Sequence, residues 1–233
     1  MFDRFEKMVG KTNLENIKQK KVIVVGLGGV GGHVVLGLIR SGISNITLVD
    51  YDRVDITNLN RQVVAKRSTI GNKKTKALKD LILDINPECH VELIDTFLDQ
   101  SNINQIITNN YDYVIDACDT ISTKKEIVKT CIEKKIKLIS SMGTGNKLDP
   151  SKLEITDIRK TINDPLARIM RKWVKDEKIN DKITVLSSTE VPIKVKNIVT
   201  SNSFVPGSAG LLIASWIIND IIDRKDINGS TTQ

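Results

Sequence analysis

A glycine-rich turn near the N-terminus has the spacing of a phosphate-binding loop. The hydrophobic run "VVGLGGVGGHVV" contains Gly26, Gly28, Gly29 and Gly31 and then continues with the period of an apolar helix. Glycines at this spacing allow a tight turn and let backbone N–H groups approach a phosphate at a helix N-terminus. Alone, the turn fits the pyrophosphate of a dinucleotide as well as the triphosphate of ATP.

Two acidic residues follow the second hydrophobic run. Asp50 and Asp52 come about 20 residues after the glycines, where an acidic side chain can accept hydrogen bonds from ribose hydroxyls. This position supports a nucleotide site and does not distinguish NAD from ATP. A carboxylate that only caps a turn is the alternative for Asp50.

An amide and two cations come next and favour ATP. Asn58 and Arg61 lie within one turn of each other in "DYDRVDITNLNRQ", and Lys74 follows in "IGNKKTKA". Adenylyl transfer needs such groups because negative charge builds on the phosphates as pyrophosphate leaves. Hydride transfer has no such need. The cluster therefore argues against the alternatives, an NAD-dependent oxidoreductase or a nucleotide-binding RNA module without catalysis.

The elements that must position these residues alternate in type along the chain. Short β-branched runs are separated by segments of helical period, as in "KVIVVG", "HVVLGLIRSG", "NITLVD", "KTKALKDLILDIN", "HVELID", "YDYVIDA", "TKKEIVKTCIEKK" and "IKLISSMG". The alternation predicts an α/β, Rossmann-like, mainly parallel sheet with helices on both faces. Ligands of such sheets bind at the carboxyl ends of the strands, where Asp50, Asp52, Asp119 and Ser140 are expected.

The pattern becomes less regular after about residue 150. Strands are predicted for "LEITDIRKT" and "KITVLSSTE", a helix with Asp164 as its N-cap for "DPLARIMRKWVKDEKI", and a closing apolar helix for "AGLLIASWIINDII". We therefore expect a single domain over residues 1–233. Residues 1–145 would form the ATP-binding core, and residues 146–233 a C-terminal α+β extension that faces the substrate.

Several motifs within residues 1–145 together resemble one family. They are "GLGGVG", "LVDYDRVDITNLNRQ", "IGNKKTKA", "DINPE" and "VIDACDT". They resemble the ATP-binding core of the adenylating enzymes related to ubiquitin activators and to bacterial sulfur-carrier adenylyltransferases. The resemblance implies that the protein binds ATP and Mg²⁺ and that it is a homodimer.

The resemblance also implies roles for individual residues. Gly28 and Asp50 would hold adenosine and ribose, and Asp119 in "DACDT" would hold magnesium. Arg4 in "FDRFE" would reach into the ATP site of the partner subunit. The side chains that would handle the triphosphate are Asn58, Arg61 and Lys74.

The second half resembles one branch of that family, the tRNA threonylcarbamoyladenosine dehydratases. The resemblance lies in "SSMGTGNKLDPSKLEITDIRKTINDPLARIMRK", "SSTEVP" and "SNSFVPGSAGLLIA". It implies ATP-dependent cyclisation of N6-threonylcarbamoyladenosine at tRNA position 37, through adenylation of the threonyl carboxylate and without a protein thiol. The alternative is an adenylyltransferase that activates the C-terminus of a ubiquitin-like sulfur-carrier protein, against which the absence of paired C-x-x-C motifs argues. Sulfur-transfer proteins remain open as partners.

A tRNA substrate would account for the positive charge of the chain. The sequence has 35 Lys+Arg against 28 Asp+Glu, a formal net charge of +7, which favours an anionic partner. Phosphate binding is predicted for the cations of the second half. They are Arg159, Lys160, Arg168, Arg171 and Lys172, with Lys147 and Lys152 in the same stretch.

Other residues have simpler interpretations. Cys118 is expected to be a small residue at a buried strand end rather than a nucleophile, and Trp173 to complete a core rather than to stack on a base. Met142, Gly143 and Gly145 follow the fifth strand. They are expected to line the pocket, although glycine there could equally satisfy a turn.

Cysteine content and hydropathy favour the cytoplasm. The three cysteines contain no C-x-x-C pair, so neither a disulfide framework nor a structural zinc site is predicted. The N-terminus is too charged for a signal peptide, and no apolar stretch approaches the roughly 20 residues of a membrane span. We expect no membrane association.

Overall fold

The computed structural model describes residues 1–196 and 198–223, whose strands form one seven-stranded sheet in the order β3-β2-β1-β4-β5-β7-β6. The strands β1 to β7 are Lys21–Val25, Asn45–Val49, His90–Ile94, Tyr113–Asp116, Lys137–Ser141, Leu153–Asp157 and Thr184–Ser188. The central strands β1 and β4 are buried almost throughout. Continuous hydrophobic runs form such strands because a parallel sheet is covered on both faces.

The described residues also form helices α1 to α8. They are Asp3–Val9, Lys11–Gln19, Gly31–Arg40, Lys74–Ile85, Ile103–Ile106, Ile121–Lys134, Pro165–Asp176 and Phe204–Ile221. Helix α7 begins as predicted, with Asp164 accepting a hydrogen bond from the Ala167 N–H at 2.9 Å and Pro165 in the first turn.

The strand order changes direction at β1. This strand pairs in parallel with both β2 and β4, so a crevice opens between the carboxyl ends of β1 and β4. Gly26 adopts a φ of +87°, and a Cβ there would lie 2.7 Å from the Ala117 carbonyl carbon. A Cβ on Gly31 would lie 1.8 Å from the Gly26 carbonyl oxygen. Glycine is therefore required at both positions by close backbone contacts in the crevice.

The second half of the chain continues the same sheet. Strand β7 pairs in parallel with β5, and β6 pairs antiparallel with β7 at the edge. The segment predicted as a strand from Leu153 ends as a strand at Asp157 and continues as a 3-10 helix over Ile158–Lys160. The predicted fold class, a Rossmann-like sheet with a C-terminal α+β extension, is confirmed.

Helix α8 is longer and more apolar than we expected of any segment. Its 18 residues have a mean hydropathy of 1.4, which by length and composition is enough to cross a membrane. Half of that stretch is buried inside the protein, and core helices of soluble proteins meet the same criterion. It packs against α3, where a Cβ on Gly210 would lie 2.5 Å from the Val30 carbonyl oxygen. In this fold α8 is a core helix.

Candidate active site

A cavity of about 700 Å³ opens at the carboxyl ends of β1, β2, β4 and β5. It brings together most of the residues that the sequence indicated for a nucleotide. Those that line it are Gly26, Gly28, Gly29, Asp50, Asp52, Asn58, Arg61, Lys74 and Asp119. Gly31 lies behind the turn as the first residue of α3.

The glycine turn offers hydrogen-bond donors to this cavity. Among the described residues, the N–H groups of Gly28, Gly29 and Val30 have no hydrogen-bond partner. They directly precede α3, whose N-terminal end carries the positive end of the helix dipole. Free N–H groups at a helix N-terminus form a site for phosphate.

Asp50 fastens the glycine turn to the end of β2. It is 8% exposed, and its two carboxylate oxygens accept from the Leu27 N–H at 2.7 Å and from the Asp52 N–H at 2.8 Å. Asp50 therefore does cap the turn, as the alternative interpretation held. Each oxygen retains a second lone pair, so a bond from a ribose hydroxyl remains compatible with this geometry.

Lys74 brings a nearly buried ammonium to the cavity. Its side chain is 7% exposed, and its Nζ lies 2.7 Å from a carboxylate oxygen of Asp52, which is 45% exposed. The Lys74 N–H also donates to the Asp52 carbonyl at 3.1 Å. The ammonium has three protons, so it can contact a phosphate while it keeps its bond to Asp52.

Asn58 and Arg61 lie in the segment between β2 and α4. The Asn58 Oδ1 accepts from the Asp55 N–H at 3.0 Å, and its Nδ2 has no bond to any described residue. Arg61 donates from one terminal nitrogen to the Thr57 carbonyl and the Asn60 side chain, both at 2.9 Å. These bonds orient both side chains. Both side chains line the cavity, and each keeps N–H groups that can donate to a ligand.

Asp119 is the carboxylate best suited to a cation. It is exposed, lines the cavity, and makes no hydrogen bond or ion pair with the rest of the described chain. Asp119 and its acidic neighbours also act on Tyr51. The charge of Asp52, followed by burial and the charges of Asp119 and Asp50, raises the pKa of the Tyr51 hydroxyl. Mg²⁺ is commonly held by one or two carboxylates together with substrate phosphates. The cavity therefore fits Mg²⁺ bound with a triphosphate, although residues 1–196 and 198–223 contain no cluster of three metal-ligating side chains.

Sequence reasoning missed a buried ion pair behind Asp119. Lys124 and Asp116 are both 0% exposed, and their charged atoms lie 3.0 Å apart. The Asp116 carboxylate also accepts from Ser140 at 2.5 Å, and Lys124 donates to the Ser141 carbonyl at 2.7 Å. Asp116 lies in the motif "VIDACDT", but the motif does not predict its pairing with Lys124, because the two residues belong to β4 and α6 and meet only after folding.

Cys118 lies beside this ion pair. Its Sγ donates to the Asp116 carboxylate at 3.0 Å, and burial, with the charge of Asp116, raises its thiol pKa far above the ordinary value. A thiol held in its protonated form is a poor nucleophile. This agrees with the expectation that Cys118 is not a nucleophile.

A second buried pair corrects the interpretation of Lys147 as a surface cation. Lys147 is 1% and Asp164 0% exposed, and their charged atoms lie 2.9 Å apart. Lys147 also donates to the Gly143 carbonyl at 2.6 Å. Its charge is therefore used inside the protein, and it cannot grip RNA from the surface.

The five predicted tRNA-binding cations lie outside the cavity lining. Lys160, Arg168 and Lys172 are exposed. Arg159 pairs with Asp157 at 3.0 Å, and Arg171 donates to the Thr161 carbonyl at 2.6 Å. The last two therefore also hold the chain together, and the role of all five in tRNA binding stays a prediction.

Two further residues have clear places. Trp173 is 7% exposed and packs in a hydrophobic cluster of the second half, which agrees with a core role. The ammonium of Lys129 lies 5.7 Å from the centroid of its ring.

Arg4 is exposed on α1 and does not line the cavity of its own chain. Its assignment to a partner's site stays a prediction. Met142, Gly143 and Gly145 line the cavity, as expected.

A glycine turn at the reversal of strand order, with an amide, two cations and an acid around it, defines an α/β nucleotide-binding protein equipped for a triphosphate. The chain belongs to the ThiF family, whose model matches residues 3–227.

Three relatives illustrate the range of similarity. The chain is 41% identical over 244 residues to the Bacillus subtilis tRNA threonylcarbamoyladenosine dehydratase, a match that covers 97% of this chain and 95% of the relative. The solved structure of Escherichia coli tRNA N6-threonylcarbamoyladenosine dehydratase, TcdA, in complex with ATP has a TM-score of 0.89 at 33% identity and covers 94% of this chain and 93% of that chain. The E. coli molybdopterin-synthase adenylyltransferase is 31% identical over 126 residues, 54% of this chain and 50% of the relative. Similarity to the dehydratases thus extends through the second half.

Proposed function

We propose that this chain is an ATP-dependent enzyme that dehydrates N6-threonylcarbamoyladenosine in tRNA to a cyclic form. The observation that carries the proposal is one cavity that joins the free N–H groups of the glycine turn to Asn58, Arg61 and Lys74. This arrangement suits a triphosphate. The choice of substrate is supported by the similarity to the B. subtilis dehydratase over nearly the full length of both chains.

The reaction has two steps. First, an oxygen of the threonyl carboxylate attacks the α-phosphorus of ATP; the new carboxyl–phosphorus bond forms, and pyrophosphate leaves with the electrons of the bond that breaks. Second, a nitrogen or oxygen of the neighbouring carbamoyl group attacks the activated carbonyl carbon, AMP leaves, and one proton is released. The base loses the elements of water, while ATP becomes AMP and pyrophosphate.

The cationic side chains act on the first step. Lys74 and Arg61 bind the phosphates on which charge develops, and the free Nδ2 of Asn58 adds a neutral donor. The N–H groups of the glycine turn bind phosphate at the start of α3, while Asp50 holds the turn in place and accepts from ribose. Asp119 would hold Mg²⁺, which when bound neutralises charge on the phosphates.

The tRNA would bind outside the cavity, and a second subunit would add one residue to it. Lys160, Arg168 and Lys172 are exposed cations suited to tRNA phosphates. A homodimer would deliver Arg4 of each subunit to the triphosphate of the other, since Arg4 is absent from the cavity lining of its own chain. We assign the enzyme to the cytoplasm, where its tRNA substrate resides, and keep residues 1–145 as the ATP-binding part and residues 146–233 as the tRNA-facing part.

Mass spectrometry of tRNA nucleosides tests the proposal. Purified protein is incubated with ATP, Mg²⁺ and tRNA that carries N6-threonylcarbamoyladenosine, and the tRNA is then digested. The expected result is a nucleoside lighter by one water, formed together with AMP and pyrophosphate. Unchanged nucleosides in a preparation that binds ATP would refute the dehydratase function.

The match to molybdopterin-synthase adenylyltransferase supports a second candidate, adenylation of a sulfur-carrier protein. The same preparation can be assayed for ATP–pyrophosphate exchange that depends on a carrier with a C-terminal Gly-Gly. Exchange with the carrier, without any change in tRNA, would favour this alternative.

A further inference from the structure

A second set of backbone donors lines the cavity at the end of β5. Gly143 and Thr144 border the cavity, and within the described chain their N–H groups have no hydrogen-bond partner. Backbone N–H groups are usually paired in folded proteins. Consecutive unpaired donors that face a cavity, here followed by the likewise unpaired Gly145 N–H, are available to a ligand acceptor.

The carbonyls of the same peptide units show where these donors point. The Met142 carbonyl accepts from the buried Ser141 hydroxyl at 3.2 Å, and the Gly143 carbonyl accepts from Lys147 at 2.6 Å. In a planar trans peptide the C=O and N–H point in opposite directions. The N–H groups of Gly143 and Thr144 are thus directed away from the buried groups that hold their carbonyls.

Two buried ion pairs hold this short segment from both ends. Lys124, paired with Asp116, donates to the Ser141 carbonyl, and Lys147, paired with Asp164, donates to the Gly143 carbonyl. Removing four charges from water is costly, so such pairs are weak evidence for stability alone. A cation bound to a carbonyl polarises the peptide and strengthens its N–H as a donor.

Lys147 has a second effect on an anion at this place. A Cβ on Gly143 would lie 3.2 Å from an Asp164 carboxylate oxygen. The negative charge of Asp164 would repel an anion bound at the Gly143 and Thr144 N–H groups. Lys147 offsets that charge and lets the donors act.

We infer that the N–H groups of Gly143 and Thr144 form an oxyanion site for the carbonyl group that the enzyme activates. This inference rests on the proposed function. When the carbamoyl group attacks the acyl adenylate, the carbonyl π electrons move to oxygen and form a tetrahedral oxyanion. The two N–H groups stabilise it until the carbonyl re-forms and AMP leaves with the electrons of the broken carbon–oxygen bond. Lys124 and Lys147 are positioning residues that hold the donors.

Replacement of one amide by an ester tests this site directly. In a Thr144→Ala parent, the alanine is replaced by lactic acid, so that only the N–H at position 144 changes to oxygen. We expect ATP affinity and a burst of one pyrophosphate per site to stay equal to those of the parent. The rate of cyclisation should fall about 100-fold or more, because one oxyanion donor is lost. Thermal unfolding of both proteins checks that the fold is retained.

The outcomes separate the two proposals. A parent and wild type that form pyrophosphate but no cyclised base would refute the proposed function itself. An active parent with an ester variant of equal cyclisation rate would overturn only the oxyanion site. Loss of ATP binding in the ester variant would also overturn it, since the donors would then serve the nucleotide.

Discussion

Within residues 1–196 and 198–223, the cavity has backbone turns with unpaired N–H groups after β1 and after β5, and they are built by different means. The turn after β1 depends on glycines in close backbone contact and on the helix that follows it. The turn after β5 is held by Lys124 of α6 and by Lys147, which follows Gly143 by four residues and is itself fixed by the buried Asp164. Local conformation thus forms the nucleotide side, and long-range buried charge forms the opposite side.

The two Lys–Asp pairs around the cavity follow the same division. Lys74 pairs with Asp52, whose side chain is 45% exposed, and so keeps access to a ligand. Lys147 pairs with Asp164, and both are nearly inaccessible. We propose that the first lysine serves chemistry and the second serves architecture, and the following substitutions test that contrast.

The largest effect is expected from breaking the buried pair. Lys147→Met leaves the Asp164 carboxylate buried without its partner, which should lower the free energy of unfolding by about 3–5 kcal/mol. The double variant Lys147→Met/Asp164→Asn removes both charges and should recover most of this loss. Urea unfolding measures both values. A single variant as stable as the wild type would contradict the architectural role.

Gly31→Ala should be nearly as damaging on the nucleotide side. The added Cβ would lie 1.8 Å from the Gly26 carbonyl oxygen, which is backbone and cannot move aside alone. We expect a loss of about 3 kcal/mol or more and failure to bind ATP. Gly71→Ala is the control for crowding, because a Cβ there meets nothing within 4 Å; its φ of +85°, unlike the backbone of Gly31, adds only conformational strain. It should cost only about 1–2 kcal/mol. Equal losses would show that crowding is not the cause.

Arg61→Ala and Lys74→Met should impair the reaction far more than the fold. Each removes positive charge from the phosphates, and the rate should fall about 100-fold or more. Stability should change by about 1 kcal/mol or less, because the ion-pair partner of Lys74 is half exposed and Arg61 forms no ion pair with the described residues. Single-turnover pyrophosphate release and urea unfolding, measured on the same preparations, give the two numbers. A normal rate in both variants would remove these residues from the phosphate site.

Ligand binding should distinguish ATP from a dinucleotide. ATP with Mg²⁺ at roughly 30 times its dissociation constant should stabilise the fold by about 2 kcal/mol, whereas NAD should not. In Asp119→Asn the Mg²⁺-dependent part of the shift should disappear. Stabilisation by NAD alone in a thermal-shift assay would contradict the triphosphate assignment.

The smallest effect is expected outside the cavity. Arg168→Ala/Lys172→Ala should weaken tRNA binding and make its logarithmic salt dependence less steep by about 2. Lys182→Ala is the control, because this exposed lysine lies two residues before β7, at the amino ends of the parallel strands and opposite the cavity. An unchanged slope in the double variant, or an equal change in the control, would exclude α7 as the tRNA surface.

The sheet, the glycine turn and the residues after β2 could all be predicted from the sequence. These features depend on hydrophobic period, on glycine spacing and on residues close to one another in the chain, as Gly26, Gly31 and Asp50 illustrate. The N-cap of α7 could also be predicted from the sequence, because Asp164 and Pro165 are neighbours in the chain.

How the turn after β5 is held could not be predicted before the packing of the chain was known. Lys147 looked like one surface cation among several, because its charge is visible in the sequence and its burial is not. Asp116 lies in the motif "VIDACDT", but its pairing with Lys124 requires β4 and α6 to meet behind the cavity. Burial of a charge depends on what the rest of the chain packs around it, and hydropathy along the sequence contains no record of that packing.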